Sequence, residues 1–289
     1  MRKKNAFSLS ITLWITAALM AGAIYFIGVN RQNLYISSQL NDKLAASLEL
    51  QSTFELLKYY IYLGTYSYNK IINKEQNLLP KSLPIDSTPF KYKNSTIQLQ
   101  DSGGLLDTMH IQSYISNLEV FQNRIEEQVA KNSIKDWLDK DSFSSINGAE
   151  TFYYTAKGCR YRTRNKPFLY YTDELNIIRG CQDILNSKEN FIHSVKWGLN
   201  PYTMSKQVLK TIFQLSENDV KIVLDIRKND ITRFRKKLYE LKPEVLRTME
   251  LFLIYSNVLK ITITTKINKA TVSKTFFLDF NSDTILYIN

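Results

Sequence analysis

Histidine and cysteine are scarce in this chain, with two of each among 289 residues. His110, His193, Cys159 and Cys181 form no Ser-His-Asp or paired metal-ligand pattern. Neither a GxSxG elbow nor a Walker loop occurs, so the sequence reads as non-enzymatic. Nine glycines and six prolines are too few for a collagen-like or low-complexity chain. Acidic residues are missing from positions 1–29, although 27 occur in all against 38 lysines and arginines. The net charge is +11, three units of it from Arg2, Lys3 and Lys4. A basic surface suits nucleic acid, anionic lipid or acidic protein, and equally suits plain Lys- and Asn-rich solvated faces. The hydrophobic share of 44% supports a real core, in one large domain or two modest ones.

The opening stretch carries the strongest signal. From Ala6 to Val29 no residue is charged, and the polar ones, such as Ser8, Ser10, Thr12 and Thr16, are small. A helix of that length is about 35 Å long, enough for a hydrocarbon core of about 30 Å. Ala21-Gly22-Ala23 is a small-residue site of the kind a signal peptidase cuts, but the apolar run is long for a cleaved signal. Three cations precede the span and Arg31 follows it, which favours a cytoplasmic N-terminus. The segment from Asn30 to Lys74 has no proline and a single glycine, Gly64. Leu40, Leu44 and Leu48 continue into Gln51, Glu55 and Lys58 at helical spacing. Leu50, Phe54, Leu57 and Ile61 make a second, apolar row. An amphipathic helix running on from the span is expected.

Farther along, "SYISNLEVFQNRIEEQVA" places Ile115, Leu118, Phe121 and Ile125 at helical spacing. Thr172 or Asp173 is a candidate N-cap for a helix ending near Gly180. "MSKQVLKTIFQL" and "ENDVKIVLDIRK" read as a short helical hairpin, and another helix starts or breaks at Pro243. "VLKITITTKIN" then alternates as a strand, and "TVSKTFFLDFNSDTILYIN" gives two more, turning at Asn281-Ser282-Asp283. A further strand signal lies at Lys91–Gln100. Residues from about Asp107 to Lys242 are thus mostly short helices, set between strand segments.

These residues carry a resemblance. The first thirty are similar to a class III prepilin leader: a short basic peptide, a cut before Phe7, then an apolar helix. Ala6 stands where such leaders usually have Gly. Counting from Phe7, the fifth residue is Ile11, where most pilins have Glu. The minor pseudopilin K family of type II secretion (general secretion pathway protein K) is similar in lacking that acid. "LQDSGGLLDTMHI" resembles its D-x-x-G turn. "NSIKDWLDKDSFSSINGAETFYY" resembles its I-x-D-W-x-D-x-D run with a G-x-E and a Tyr pair. "RTRNKPFLYYTDELNIIRG" and "GLNPYTMSKQVL" resemble its N-x-P-F, E-L-x-x-I-x-G and N-x-x-T segments.

The resemblance implies an α+β, type IV pilin-like fold with an all-helical insertion. Its expected parts are a leader at 1–6, a membrane helix at 7–29, and a pilin-like helix with first strands at 30–100. The helical domain would occupy 101–245 and the closing strands 246–289. It also implies a tip subunit that starts pseudopilus assembly and limits its length. The partners would be minor pseudopilins I, J and H, with prepilin peptidase acting at Ala6 and Phe7. The head would lie in the periplasm, anchored in the inner membrane, and no nucleic acid is expected. A single-span sensor or adhesin and a DNA-binding competence-type pilin are the rival readings.

One constellation has ligand chemistry. Asp136, Asp139, Asp141, Asn147 and Glu150 are oxygen donors of the kind that hard cations need. Asp139, Asp141, Asn147 and Glu150 match positions 1, 3, 9 and 12 of a calcium loop. Phe143 and Ser144 stand at positions 5 and 6, so this is not an EF-hand. An acidic turn with capping aspartates is the alternative, and the resemblance implies calcium. Cys159 and Cys181 are expected to form a disulfide in an oxidising compartment, with two thiols as the alternative. "CRYRTRNK" interleaves Tyr161 with arginines, as a phosphate-binding patch or a solvated loop.

Overall fold

The structure, a computed structural model, describes residues 2–73, 78–108, 111–166, 172–184, 191–192, 198–243, 256–279 and 284–288. His110, His193, the Asn281-Ser282-Asp283 turn and the helix expected beyond Pro243 lie wholly or largely outside these residues. The first element, α1, is one continuous helix from Arg2 to Tyr62, about 90 Å long at helical rise. It contains the one helix among the described residues that is long and apolar enough to cross a membrane. Trp14, Leu19, Met20 and Ile24 are all exposed on it, as a lipid-facing or partner-facing stretch requires. Ala6 and Phe7 lie inside this helix.

Strands β1 (Thr65–Ser67), β2 (Lys70–Ile72) and β3 (Ser82–Pro84) form a small antiparallel sheet. β4 (Phe90–Tyr92), β5 (Ser95–Asp101), β8 (Val258–Ile267), β9 (Ala270–Asp279) and β10 (Thr284–Ile288) form a second, in the order β10-β9-β8-β5-β4. β6 (Leu106–Asp107) and β7 (Phe191–Ile192) make a parallel pair. The helices α2 (Ile111–Tyr114), α3 (Arg124–Leu138), α4 (Thr151–Ala156), α5 (Lys206–Phe213), α6 (Glu217–Asn229) and α7 (Ile231–Leu241) all fall, in sequence, between β5 and β8. Those two strands are neighbours in the sheet, so the α+β class expected from the sequence is the one observed.

The chain divides into two compact units. The first comprises Met1–Leu57, Lys91–Thr96 and Ile263–Lys274. In it Ala46, Leu50, Phe54 and Leu57 of α1 are buried, together with Ile263. The Ser95 and Thr265 hydroxyls pair at 2.6 Å in this core. Two acids on α1 hold the hairpin turns. Glu49 accepts from the backbone and side-chain nitrogens of Asn94, each at 3.0 Å, and Asp42 accepts from Asn268 Nδ2 at 2.9 Å. The turns reverse through Lys93 (φ 50°) and Asn268 (φ 52°).

The second unit comprises Lys58–Phe90, Ile97–Thr262 and Thr275–Asn289. Its helices share one core that includes Ile111, Ile134, Trp137, Ile178, Val208, Phe213, Val223 and Phe234. Ser205 and Ser216 cap α5 and α6 through Val208 N and Asp219 N, giving the expected hairpin.

Three helical expectations are corrected. The amphipathic helix does not reach Lys74. It ends at Tyr62; Gly64 follows, where a Cβ would overlap Ile71 Cγ2, and then β1 and β2. The row Leu50, Phe54, Leu57 and Ile61 is buried, but Leu40, Leu44 and Leu48 are exposed. The stretch at 113–130 is not one helix. It breaks after a 3₁₀ turn at Ile115–Asn117 and restarts at Asn123, whose side chain accepts from Ile125 N and Glu126 N. Glu126 reaches back to Gln122 N and Asn123 Nδ2, completing a reciprocal cap that leaves Ile125 exposed. Finally, Thr172–Asn176 is a 3₁₀ turn rather than the start of an α-helix.

Candidate functional site

The motif residues come together at two places in the second unit. The first is a buried polar junction. Asp101 caps the 3₁₀ turn Ser102–Gly104 by accepting from Gly103 N at 2.9 Å. The same oxygen accepts from Ser256 N at 3.1 Å, and the other accepts from Asn200 Nδ2 at 2.7 Å. Asn200 N donates to Gly103 O, and Thr203 Oγ1 returns to Asn200 O. A Cβ on Gly104 would overlap Thr203 Oγ1, so this glycine is required for the close approach. The D-x-x-G and N-x-x-T segments, a hundred residues apart, thus form one joint that also anchors the entry to β8.

The second place is the acidic loop after α3. Asp136 lies on the last turn of α3 and is fully buried. Its carboxylate accepts from Ser145 N at 3.0 and 3.1 Å and from Ser144 Oγ at 3.3 Å. Asp139 is the C-cap residue of α3, and Glu150 is the N-cap residue of α4. Glu150 Oε2 accepts from Thr151 N and Thr163 Oγ1, both at 3.2 Å. Asp139 Oδ1 and Glu150 Oε1 are buried with no hydrogen-bond partner. Asp136, Asp139 and Glu150 each turn an oxygen to within 4.8 Å of the others. Burial holds the Asp139 carboxyl above the usual range, and the charges of Asp141 and Asp136 push it the same way. Burial likewise raises Glu150.

Two buried, unpaired carboxylate oxygens beside a third acid are costly unless something positive sits among them. An all-oxygen set without His or Cys suits calcium or a similar hard cation rather than zinc or copper. The residues present therefore fit the calcium expected from the sequence. Asp136, Asp139 and Glu150 would hold it, and it would neutralise the loop's buried charge. Asp141 does not join the group. Asp141 is exposed and accepts from Phe143 N at 2.8 Å, closing a local turn, and Asn147 is exposed with φ 59°. Gly148, unremarked as a site residue in the sequence, is part of the cradle: a Cβ there would overlap Asp136 Oδ2 and lie 2.8 Å from its Cγ.

Behind the loop, Trp137 Nε1 donates to Glu174 Oε2 at 3.1 Å. Arg164 clamps the same carboxylate with Nε and Nη2, both at 2.8 Å. Arg164 N and Asn165 N donate to Trp137 O. The Arg-rich run is therefore partly structural, since Arg164 is committed to Glu174. Tyr154 and Tyr161 pack on the Trp137 ring at 5.4 and 6.2 Å.

The expected Cys159–Cys181 bond is corrected: both are free thiols. Cys181 is buried, with its sulfur directed to Ala130 O and Arg179 O, whereas Cys159 is half-buried beside the Tyr161 hydroxyl. Burial pushes the Cys181 thiol far above its ordinary pKa.

No protein-family model and no curated protein matches the chain. Among solved structures it is similar to a chain of the GspK-GspI-GspJ complex from the type 2 secretion system of enterotoxigenic Escherichia coli. The TM-score is 0.57 at 14% identity, over 90% of this chain and 98% of that one. Over nine-tenths of its length the chain therefore has the α+β fold found in that secretion complex.

Proposed function

We propose that this chain is the K-type minor pseudopilin of a type II protein secretion system, a non-enzymatic tip subunit. The observation that carries the reading is the fold match over 90% of the chain, joined to an apolar helix with Ile11 where a filament-forming subunit has Glu. A carboxylate within a bilayer costs roughly 3 kcal/mol and persists only with a partner. In a filament that partner is the N-terminal amine of the neighbouring subunit. A subunit with Ile11 makes no such demand and can occupy the end of the filament.

Prepilin peptidase would cut between Ala6 and Phe7 and methylate the new amine. The helix from Phe7 onwards would pack beside those of the I and J pseudopilins, with H below. The helical insertion would block addition above it, setting the start of assembly and its length. The cations at Arg2, Lys3 and Lys4 support a cytoplasmic N-terminus, with the span in the inner membrane and the remainder in the periplasm. Calcium at Asp136, Asp139 and Glu150 would fix the loop between α3 and α4.

Mass spectrometry of the mature chain tests the processing step. N-methylated Phe7 is the expected terminus, whereas an intact Met1 or a start after Ala23 counts against the reading. Co-expression with the I and J pseudopilins of the same system is expected to give a complex containing all three.

A further inference from the structure

Beyond the cation-binding carboxylates, the loop between α3 and α4 has an outward face. Phe143 is 83%, Ile146 84% and Phe152 82% exposed. These values exceed that of Trp14, at 76% the most exposed large apolar residue described on α1. Such residues normally fold inward when the chain permits it. Here the backbone forbids it. Phe143 N is tied to Asp141 and Ser145 N to Asp136, while Gly148 N closes on Ser145 O. Asn132 Nδ2 donates to Ile146 O at 2.6 Å. Phe152 sits in the first turn of α4, whose other face buries Tyr154. The three side chains are thus displayed by a pinned loop.

Exposed cations flank them along the chain. Lys140, Lys157 and Arg162 are exposed on the loop, on the end of α4, and on the strap that Thr163 ties to Thr151. Asp136 and Glu150 are buried in the cluster already described, and the exposed Asp141 is engaged by Phe143 N.

We propose that this apolar tip docks onto an anionic lipid surface. Phe143, Ile146 and Phe152 would enter the headgroup–acyl boundary, and Lys140, Lys157 and Arg162 would meet lipid phosphates. Isolated projecting side chains insert into a fluid interface without needing a shaped pocket. A second copy of the chain would set lysine and arginine against lysine and arginine, which disfavours self-association through this face. The inference does not depend on the pseudopilin reading, and its failure would leave that reading standing.

The test uses the full chain, held by α1 in nanodiscs of phosphatidylcholine and mixed with separate vesicles. Co-flotation is expected with phosphatidylglycerol–phosphatidylethanolamine vesicles and not with phosphatidylcholine vesicles, and it should weaken as salt is raised. The triple variant Phe143→Ser, Ile146→Ser, Phe152→Ser is expected to bind roughly a hundredfold more weakly. Because the three residues are exposed, its melting temperature should match that of the wild type, which separates lost docking from lost folding. A p-benzoylphenylalanine placed at Phe152 should capture lipid on irradiation. No flotation of the wild type, undiminished flotation of a folded triple variant, or capture of a second protein chain in place of lipid would each overturn the proposal.

Discussion

Replacing Gly148 with alanine should disable the proposed cation site without removing any of its carboxylates. The new methyl would overlap Asp136 Oδ2, lie 2.8 Å from Asp136 Cγ and 3.1 Å from Ser145 O. Asp136 has no free direction in which to yield, because it is fully buried and both its oxygens hold Ser145 N. Overpacking of this kind costs about 1–3 kcal/mol. A unit of this size loses roughly 2–4 °C of melting temperature per kcal/mol, so a fall of about 2–12 °C is expected. The calcium response should fall as well. A cation at about a hundred times its dissociation constant stabilises the wild type by roughly 2.7 kcal/mol, or about 5–10 °C. With Asp136 displaced, most of that shift should vanish. Melting curves of both proteins in chelator and in calcium supply all four numbers. An alanine variant that melts lower in chelator yet gains as much from calcium as the wild type would refute the claim that Asp136 is a ligand. A wild type indifferent to calcium would refute the site itself.

Other outcomes follow from the same geometry. The double variant Asp139→Asn, Glu150→Gln should lose the calcium shift while melting no lower than the wild type in chelator. It removes like charges whose oxygens lie within 4.8 Å of one another, a repulsion of about 3 kcal/mol per ionised pair before solvent screening reduces it. Arg164→Ala should destabilise by about 2–3 kcal/mol in urea unfolding. It strands the buried Glu174 carboxylate, and the partial exposure of Arg164 keeps the loss below that of a fully buried pair. Asp101→Ala should cost about 3 kcal/mol or more, since Gly103 N and Ser256 N lose their acceptor and Asn200 Nδ2 loses one of its two. Iodoacetamide should modify Cys159 well before Cys181 in the native protein, because the latter is buried and its thiol resists ionisation. Equal rates at the two sites would contradict the burial.

What was legible in the sequence was whatever repeats along a regular element. The strand alternation at Val258–Ile267 and the apolar row Leu50, Phe54, Leu57 and Ile61 are local signals, and both correspond to buried faces. Capping was harder to read. Ile115, Leu118, Phe121 and Ile125 keep helical spacing, yet Asn123 and Glu126 form a competing start signal that breaks the run. Just past the end of α1, a Cβ on Gly64 would overlap Ile71 Cγ2, a packing constraint that helical periodicity does not encode.

The candidate cation site divides along the same line. Asp136, Asp139 and Glu150 stood out as acids close in sequence, and so did Asp141, which the fold leaves aside. The difference is made by direction rather than spacing. Asp136 and Asp139 are one turn apart at the end of α3, which aims them alike, and Glu150 returns to them because it caps α4. Asp141 and Asn147 lie in the irregular stretch between, where each local turn sets its own direction. The residues that shape this cradle and the Asp101 joint, Gly148 and Gly104, have no side chain to announce them. Their role is visible only as the space that Asp136 and Thr203 occupy. A glycine beside a buried acid thus marks the loop as firmly as the acid does, since the placement of the Asp136 carboxylate does not survive a Cβ at Gly148.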